Sequence, residues 1–394
     1  MNVMRHLRVP NGLVEAVLGR MKAEQWLAIG YRVMSDEEGH HRLIPISPGA
    51  PPLLDGLTPV YEVVAVEGLL DDRPSTDWWK YLTDALGEAE VALHGDAWPS
   101  NHEFIGDMMI LRIDDAVSQH TKAIVKAKMQ SHPHVRLVMK DRGVQGELRI
   151  RDIEPIGCRD GEDILTSDFP PRLIETRVMV RESGKNILCD PTKAYFSTKL
   201  QAERLETRKL AIELREKLGR PLRVCDPFCG VGPALSTLLT EPELVGSLLA
   251  ADLNPDAIEM LLDNLRRWDK REYPKDPAPI TRVYDDRIVG FADALKLPED
   301  QSIAGQWDVL LVNIPHRTIE FLPSLVPLLD RATPSLVRGR VIVEENAIEE
   351  ANRAIRQALP TTLEGHTEPS LVIKRDYSST LRLCSFEAWI SPEP

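Results

Sequence analysis

Residues 224–232 read VCDPFCGVG, with Pro233 next. Val224, together with Leu222, predicts a buried strand that ends at Asp226. A sharp turn carrying Gly230 and Gly232 follows, and then a short helix from Pro233. Glycines at such a turn let the backbone approach a ligand closely, because no side chain stands in the way. Downstream, 248–252 (LLAAD) is an apolar run ending in Asp252, 20 residues past Gly232. In a nucleotide-type βαβ unit an acid at that distance accepts hydrogen bonds from ribose hydroxyls. The glycine spacing does not match GxGxxG, which disfavours a dinucleotide.

Strand and helix patterns alternate outward from this stretch. Strands are expected at 222–226, 248–252, 287–291, 307–312, 341–345, 370–374 and 380–389, with helices between most of them. That alternation predicts a mostly parallel sheet with helices on both faces. The last two strands have no convincing helix between them and predict an antiparallel terminal hairpin. Asn254-Pro255 predicts a helix start, with Asn as cap and Pro at the first helical position. Residues 270–286 are charged and Pro-rich and are expected to form a loop. Upstream, Leu210, Leu214 and Leu218 share one helical face, with Glu203 in the first turn. The helix dipole favours an ionised carboxylate there.

The chain has 394 residues, 43% hydrophobic and 28% charged, which suits two or three soluble domains. We expect three: 1–62, 63–192 and 193–394. The formal net charge of −13 excludes a basic footprint over the whole chain, so binding to a polyanion needs a local patch. From 119 to 151 there are eight cations (Lys122, Lys126, Lys128, Arg136, Lys140, Arg142, Arg149, Arg151) against Asp141 and Glu147. This reversal of sign marks the candidate phosphate-contacting surface. Strands at 108–113, 135–140 and 147–153 and a helix at 116–129 are expected here, with a second hairpin around RESGK (181–185). No run of eighteen apolar residues predicts a membrane span, and MNVMRHLRVPNG does not resemble a signal peptide. Five scattered cysteines suit a reducing, cytoplasmic setting. Cys225 and Cys229 read as small apolar residues in a tight turn.

Ligands of open α/β sheets bind beyond the carboxyl ends of the strands. Four strand ends here carry polar signals in order: Asp226 with the glycines, Asp252, Asp293, and Asn313-Ile314-Pro315. The D-x-x-x-G-x-G form resembles the first motif of class I S-adenosylmethionine (SAM) methyltransferases. Asn-x-Pro after DVLLV resembles the motif that faces the target base in base methyltransferases, with the proline stiffening the turn.

Longer stretches sharpen the resemblance. FIGDMMILRI, HPHVRLVMK, GVQGELRIRDIE, AYFSTKLQAER, VCDPFCGVGP, ADLNPDAI, VNIPHRTIEFL and LVIKRDYSS resemble the archaeal and eukaryotic tRNA (guanine37-N1)-methyltransferases. The resemblance implies a Rossmann-like class I methyltransferase domain at the C-terminus, preceded by two smaller α+β domains. The first would be a small tRNA-recognition module and the second an RNA-binding domain. It implies SAM as methyl donor, tRNA as partner, a monomer, and no metal. It further implies Arg149 at O6 of the target guanine, Glu203 as general base, and Asn313 and Pro315 against the base. Tyr195 and Lys199 would lie beside the donor, Asp252 at its ribose and Asp293 at its adenine. Lys199 stands where the family commonly has Arg. Three rival readings remain open: an aminocarboxypropyl transferase of wybutosine synthesis, a tRNA-binding protein with a silent SAM pocket, and a methyltransferase for another substrate.

Overall fold

The computed structural model describes residues 3–36, 38–58, 60–71, 76–146, 148 and 150–393. Two compact units are present, Met1–Asp77 and Trp78–Pro394. The first has its own core. An antiparallel sheet orders Met34–Ser35, His41–Pro45, Val3–Pro10 and Glu62–Glu67, with the helix Val14–Ala23 beside it. Leu7, Val9, Val17, Met21, Ile44, Ile46 and Leu54 pack together. The proline-rich segment after Ser47 is ordered by Arg5, which donates to the carbonyls of Ala50 (2.7 Å) and Pro51 (3.0 Å).

The second unit is built on an eight-stranded sheet: β1 (Leu222–Asp226), β2 (Val245–Asp252), β3 (Thr281–Tyr284), β4 (Arg287–Phe291), β5 (Val309–Val312), β6 (Ser335–Glu344), β7 (Val372–Asp376) and β8 (Leu381–Ile390). Their spatial order is β3-β4-β2-β1-β5-β6-β8-β7. The run β4-β2-β1-β5-β6 is parallel, while β8 lies antiparallel between β6 and β7. Strands buried on both faces read as continuous apolar runs, with alternate residues entering different layers. Val224, Leu248, Ala250, Val309 and Leu311 join one core. Their neighbours Cys225, Leu249, Ala251, Leu310 and Val312 join the other. Helices α1 (Gln201–Leu218), α2 (Pro233–Leu239) and α3 (Pro255–Trp268) contribute to the first core; α4 (Thr318–Leu325) and α5 (Ile348–Ala358) contribute to the second.

Two expectations about this sheet change. Residues 281–284, expected as loop, form the edge strand β3, antiparallel to β4. Strand β6 starts at Ser335 rather than 341, because its Arg338 and Arg340 are taken into the sheet; both are buried. Charges at those positions read as exposed chain until their partners are known.

Residues 78–190 pack against this domain within the same unit. A five-stranded sheet orders Glu103–Ile105, Met108–Leu111, Leu137–Gln145, Ile150–Asp160 and Asp163–Leu165. The expected helix over 116–129 divides into a 3-10 turn, Asp115–His120, and the helix Thr121–Ser131. The hairpin turn expected at DRGVQG moves on. Pairing continues through Gln145 opposite Ile150, with an irregularity between Asp141 and Val144. The second hairpin, Val178–Glu182 with Lys185–Cys189, is fastened to α3. Buried Asn264 accepts from the Leu188 N–H (2.8 Å) and donates to the carbonyls of Leu188 and Val231 (2.9 Å each). The side chain of Trp268 donates to the Asn186 carbonyl. These bonds set the course of the chain from Asp190 into α1.

Candidate active site

The glycine turn has the conformation its residues predict. Gly230 (φ 53°) and Gly232 (φ 82°) both lie in the left-handed region. A Cβ on Gly232 would stand 2.5 Å from a Leu261 methyl and 3.0 Å from the Trp268 ring of α3, so a side chain there would have to displace both on top of its unfavourable φ. A Cβ on Gly230 would meet nothing within 4 Å and would project into open space. Asp252, at the end of β2, ties the turn down. One of its oxygens accepts from the Gly230 N–H (2.8 Å) and the other from the Asn254 N–H (2.9 Å). Asn254 caps α3 as expected and also donates to the Lys193 carbonyl (2.7 Å).

Asp226 is buried below the turn and accepts from the Phe228 N–H at 3.3 Å. Burial, with the Asp252 charge adding, pushes its carboxyl up to about 7 against the pull of that N–H and of Arg340. Asp226 thus binds its proton more tightly in the folded chain than in the unfolded one. Its contribution is whole below the unfolded value near 4 and is lost as pH rises through about 7. Asp226→Asn is therefore expected to exceed the parent's melting temperature by much more at pH 8 than at pH 4.5, where little of the contribution has yet been lost. Calorimetry at both pH values checks this, and an equal difference at both would contradict it.

Asn313 follows β5 and is exposed. Its side-chain oxygen accepts from Arg340 at 2.8 Å. Arginine has donors only, so the Asn313 oxygen must face it and the amide N–H groups must face away. Pro315 accepts from the Ile342 N–H, fixing the turn to β6. Arg340 is a buried cation. Burial, with the neighbouring Arg204 and Arg338 charges, lowers it to about 10, opposed by Glu203 and Asp226.

Glu203 sits in the first turn of α1, as expected, and is buried. Its oxygens pair with Arg338 and Lys374, each at 3.2 Å. Both cations lie closer to Glu206, at 2.5 and 2.8 Å. Against the cost of burial, Lys374 and Arg338 hold the Glu206 carboxyl below its ordinary range. Glu206 is therefore the nearer partner of both cations and Glu203 the more distant one. Arg204 beside it is buried against Glu182 and the Ser197 carbonyl. Glu203 and Asn313 are thus brought together around β6, an arrangement in which Arg338, Arg340, Lys374 and Glu206 had not been foreseen. The alternation V-R-G-R-V in 337–341 was the available signal: a strand that keeps two arginines on its buried stretch has carboxylates or amides waiting for them.

The other expected site residues are placed less centrally. Arg149 and Glu147 lie outside the described residues. Arg151, two residues on, pairs with Glu103 at 2.8 Å and lies over the Tyr195 ring, 5.6 Å from its centroid. Tyr195 is partly exposed, and Lys199 opens onto a cavity of about 460 Å³ shared with His102, Phe104 and Arg181. Asp293 is exposed and caps the 3-10 turn Ala294–Glu299 by accepting from the Leu295 N–H (3.0 Å). Cys225 and Cys229 are free, buried thiols.

The basic stretch at 119–151 is less of a surface than its count suggests. Lys128 is fully buried over the Trp78 ring. Arg136, Arg142 and Arg151 pair with Asp107, Glu154 and Glu103, drawn from other segments. Lys122 and Lys126 are exposed. Folding brings carboxylates to these arginines that a linear count cannot see. No helix among the described residues is long and apolar enough to cross a membrane.

The family model described as the TYW2 N-terminal domain matches residues 81–161. A curated relative, the tRNA (guanine(37)-N(1))-methyltransferase Trm5b of Pyrococcus abyssi, is 28% identical over 233 residues, 59% of this chain and 57% of that one. The chain thus aligns with little more than half of that relative's length. Among solved structures, Pyrococcus abyssi Trm5b superposes with a TM-score of 0.62 at 20% identity, covering 98% of this chain and 99% of that one. The structure described as the complex of aTrm5 and tRNALeu gives 0.61 at 18% identity, covering 98% and 99%. The eight-stranded domain accordingly has the Rossmann-like fold of this group, following two smaller α+β regions. In sequence and in fold, the chain resembles the archaeal and eukaryotic tRNA (guanine37-N1)-methyltransferases.

Proposed function

We propose that this chain is a tRNA-modifying enzyme that transfers a methyl group from SAM to N1 of guanine 37, beside the anticodon. The observation that carries the reading is the meeting of Glu203 and Asn313 around the β6 arginines, with Asp226 also within reach of the Arg340 charge.

The residues at the glycine turn fit the donor. Open space faces Gly230, and Asp252 offers carboxylate lone pairs suited to ribose hydroxyls beyond the two N–H groups it already accepts. Asp293 would take the adenine amino group, with Tyr195 and Lys199 alongside. When bound, SAM supplies an electrophilic methyl on a sulfonium, and no metal is needed for its transfer.

The protein's task is to make guanine N1 nucleophilic and hold it in line. That nitrogen keeps its proton at neutral pH. Glu203 would accept the proton, Arg149 would offset the charge developing at O6, and Asn313 with Pro315 would hold the ring. General-base help is worth about 10²–10⁴-fold, and alignment of the reactants supplies much of the rest. The division into a tRNA-reading module (1–62), an RNA-binding region (63–192) and a transferase domain (193–394) belongs to the same proposal, as do a monomeric state and a cytoplasmic location.

The test is transfer of label from methyl-labelled SAM to a tRNA transcript with G37 and to one with another base there. Label on the first alone is expected; equal labelling of both would overturn the assignment. The match of 81–161 to the TYW2 N-terminal model favours one second reading, aminocarboxypropyl transfer from the same donor. The mass of the modified nucleoside separates the two.

A further inference from the structure

Away from the β6 cluster, three side chains with metal-binding atoms face one another. Glu90 and His94 are one turn apart on the helix Glu88–His94 and so lie on the same side. His120 closes the 3-10 turn Asp115–His120. The Nε2 atoms of both imidazoles point at the same oxygen of Glu90, from 3.4 Å (His94) and 2.9 Å (His120). All three ligand atoms lie within 4.8 Å of one another.

Trp98 forms one wall of this cluster, with its ring 5.5 Å from that of His94 and 5.6 Å from that of His120. It is held there by donating to the Val91 carbonyl of the same helix at 2.9 Å. The histidine side chains are each 16% exposed and Glu90 is 37% exposed, so the ligands are preset and one side remains open to water. The buried Nε2 of His94 makes no hydrogen bond of good geometry, although Glu90 is near. A buried ring nitrogen left in this state calls for a partner.

We propose that Glu90, His94 and His120 form a binding site for one transition-metal ion, with zinc the best match. Two imidazoles and one carboxylate suit zinc and its neighbours rather than magnesium or calcium, which take oxygen ligands. Zinc with ligands at about 2.0–2.1 Å in a tetrahedron sets donor atoms about 3.3 Å apart. The two measured separations bracket that value, so small side-chain adjustments admit the ion. Water completes the shell on the exposed side. The bound ion clips the helix Glu88–His94 to the start of Thr121–Ser131, whose Ile124, Val125 and Met129 belong to the core beneath. The site is distinct from the residues proposed for methyl transfer and departs from the expectation that the chain holds no metal. Its role is to stiffen this region.

The test uses the full chain stripped with chelator and titrated with zinc chloride, read by calorimetry and melting temperature, with magnesium chloride as control. One tightly bound zinc and a raised melting temperature are expected, with no response to magnesium. His94→Ala and His120→Ala should each weaken binding by at least about tenfold. His120→Gln keeps a donor for Glu90 but is a poor zinc ligand, so it should melt like the metal-free parent and lose the zinc response. Cobalt in place of zinc should give the intense visible absorption of a tetrahedral centre. Absence of stoichiometric zinc binding, or binding unchanged in both alanine variants, would overturn the proposal and leave a His–Glu–His cluster without a metal.

Discussion

Glu203→Gln is expected to slow single-turnover methylation of a G37 transcript by about 10²–10⁴-fold, the range a positioned general base supplies. Binding of SAM should change little, because Glu203 is not among the residues proposed to hold it. The change is nearly isosteric. Arg338 and Lys374 keep Glu206 as their closer partner, at 2.5 and 2.8 Å, so neither cation is stranded. The variant should therefore fold, with a melting temperature near the parent's. Rapid-quench transfer with enzyme in excess over tRNA isolates the chemical step from product release. A rate within threefold of the parent's would remove Glu203 from proton transfer. Raising the pH should restore part of the lost rate, since hydroxide then takes over removal of the N1 proton. Glu203→Ala serves as a second check, with the same direction and no residual hydrogen bond.

The second large effect concerns Asn313 and Arg340. Asn313→Ala is expected to cut the single-turnover rate by about 10²-fold, in line with loss of one preorganised donor. Arg340 acts through Asn313. By occupying the amide oxygen at 2.8 Å, it leaves the N–H groups to face the base, so the position recognises an acceptor. Arg340→Met should thus cost a similar factor in the parent and under about threefold in the Asn313→Ala background, because residues that work as one unit are not additive. Full additivity of the two losses would sever Arg340 from this role. Arg340→Lys tests charge separately from geometry. Its single ammonium replaces the paired donors of a guanidinium, so a rate near that of Arg340→Met assigns the effect to amide orientation. Arg340 is buried near Asp226 and Glu203, so its replacements are to be compared only where their melting curves are cooperative.

The domain fold was legible from residues 222–255 because local chemistry dictates local shape there. An apolar strand, glycines where φ must be positive, and an Asn-Pro helix start each depend on neighbours a few positions away. Glu203 and the turn at Asn313 were placed correctly on a first helical turn and a strand end for the same reason. The basic stretch exposes less charge than its count because the count runs along the chain, whereas Asp107, Glu103 and Glu154 arrive from other segments. Edge strand β3 was missed because its only partner is β4, and its own residues, TRVY, carry a weak pattern.

Sequence by itself determined the alternating strands, the two apolar faces of each parallel strand, the shape of the glycine turn and the residue types at the strand ends. Those follow from propensities and hydrophobic period, which act within a few residues. Tertiary structure decided which charges are buried, which end of the Asn313 amide is taken, and that Glu90, His94 and His120 face a common point. Such facts depend on pairs far apart in the chain, 168 positions for Glu206 and Lys374, and come into being only when the chain has packed.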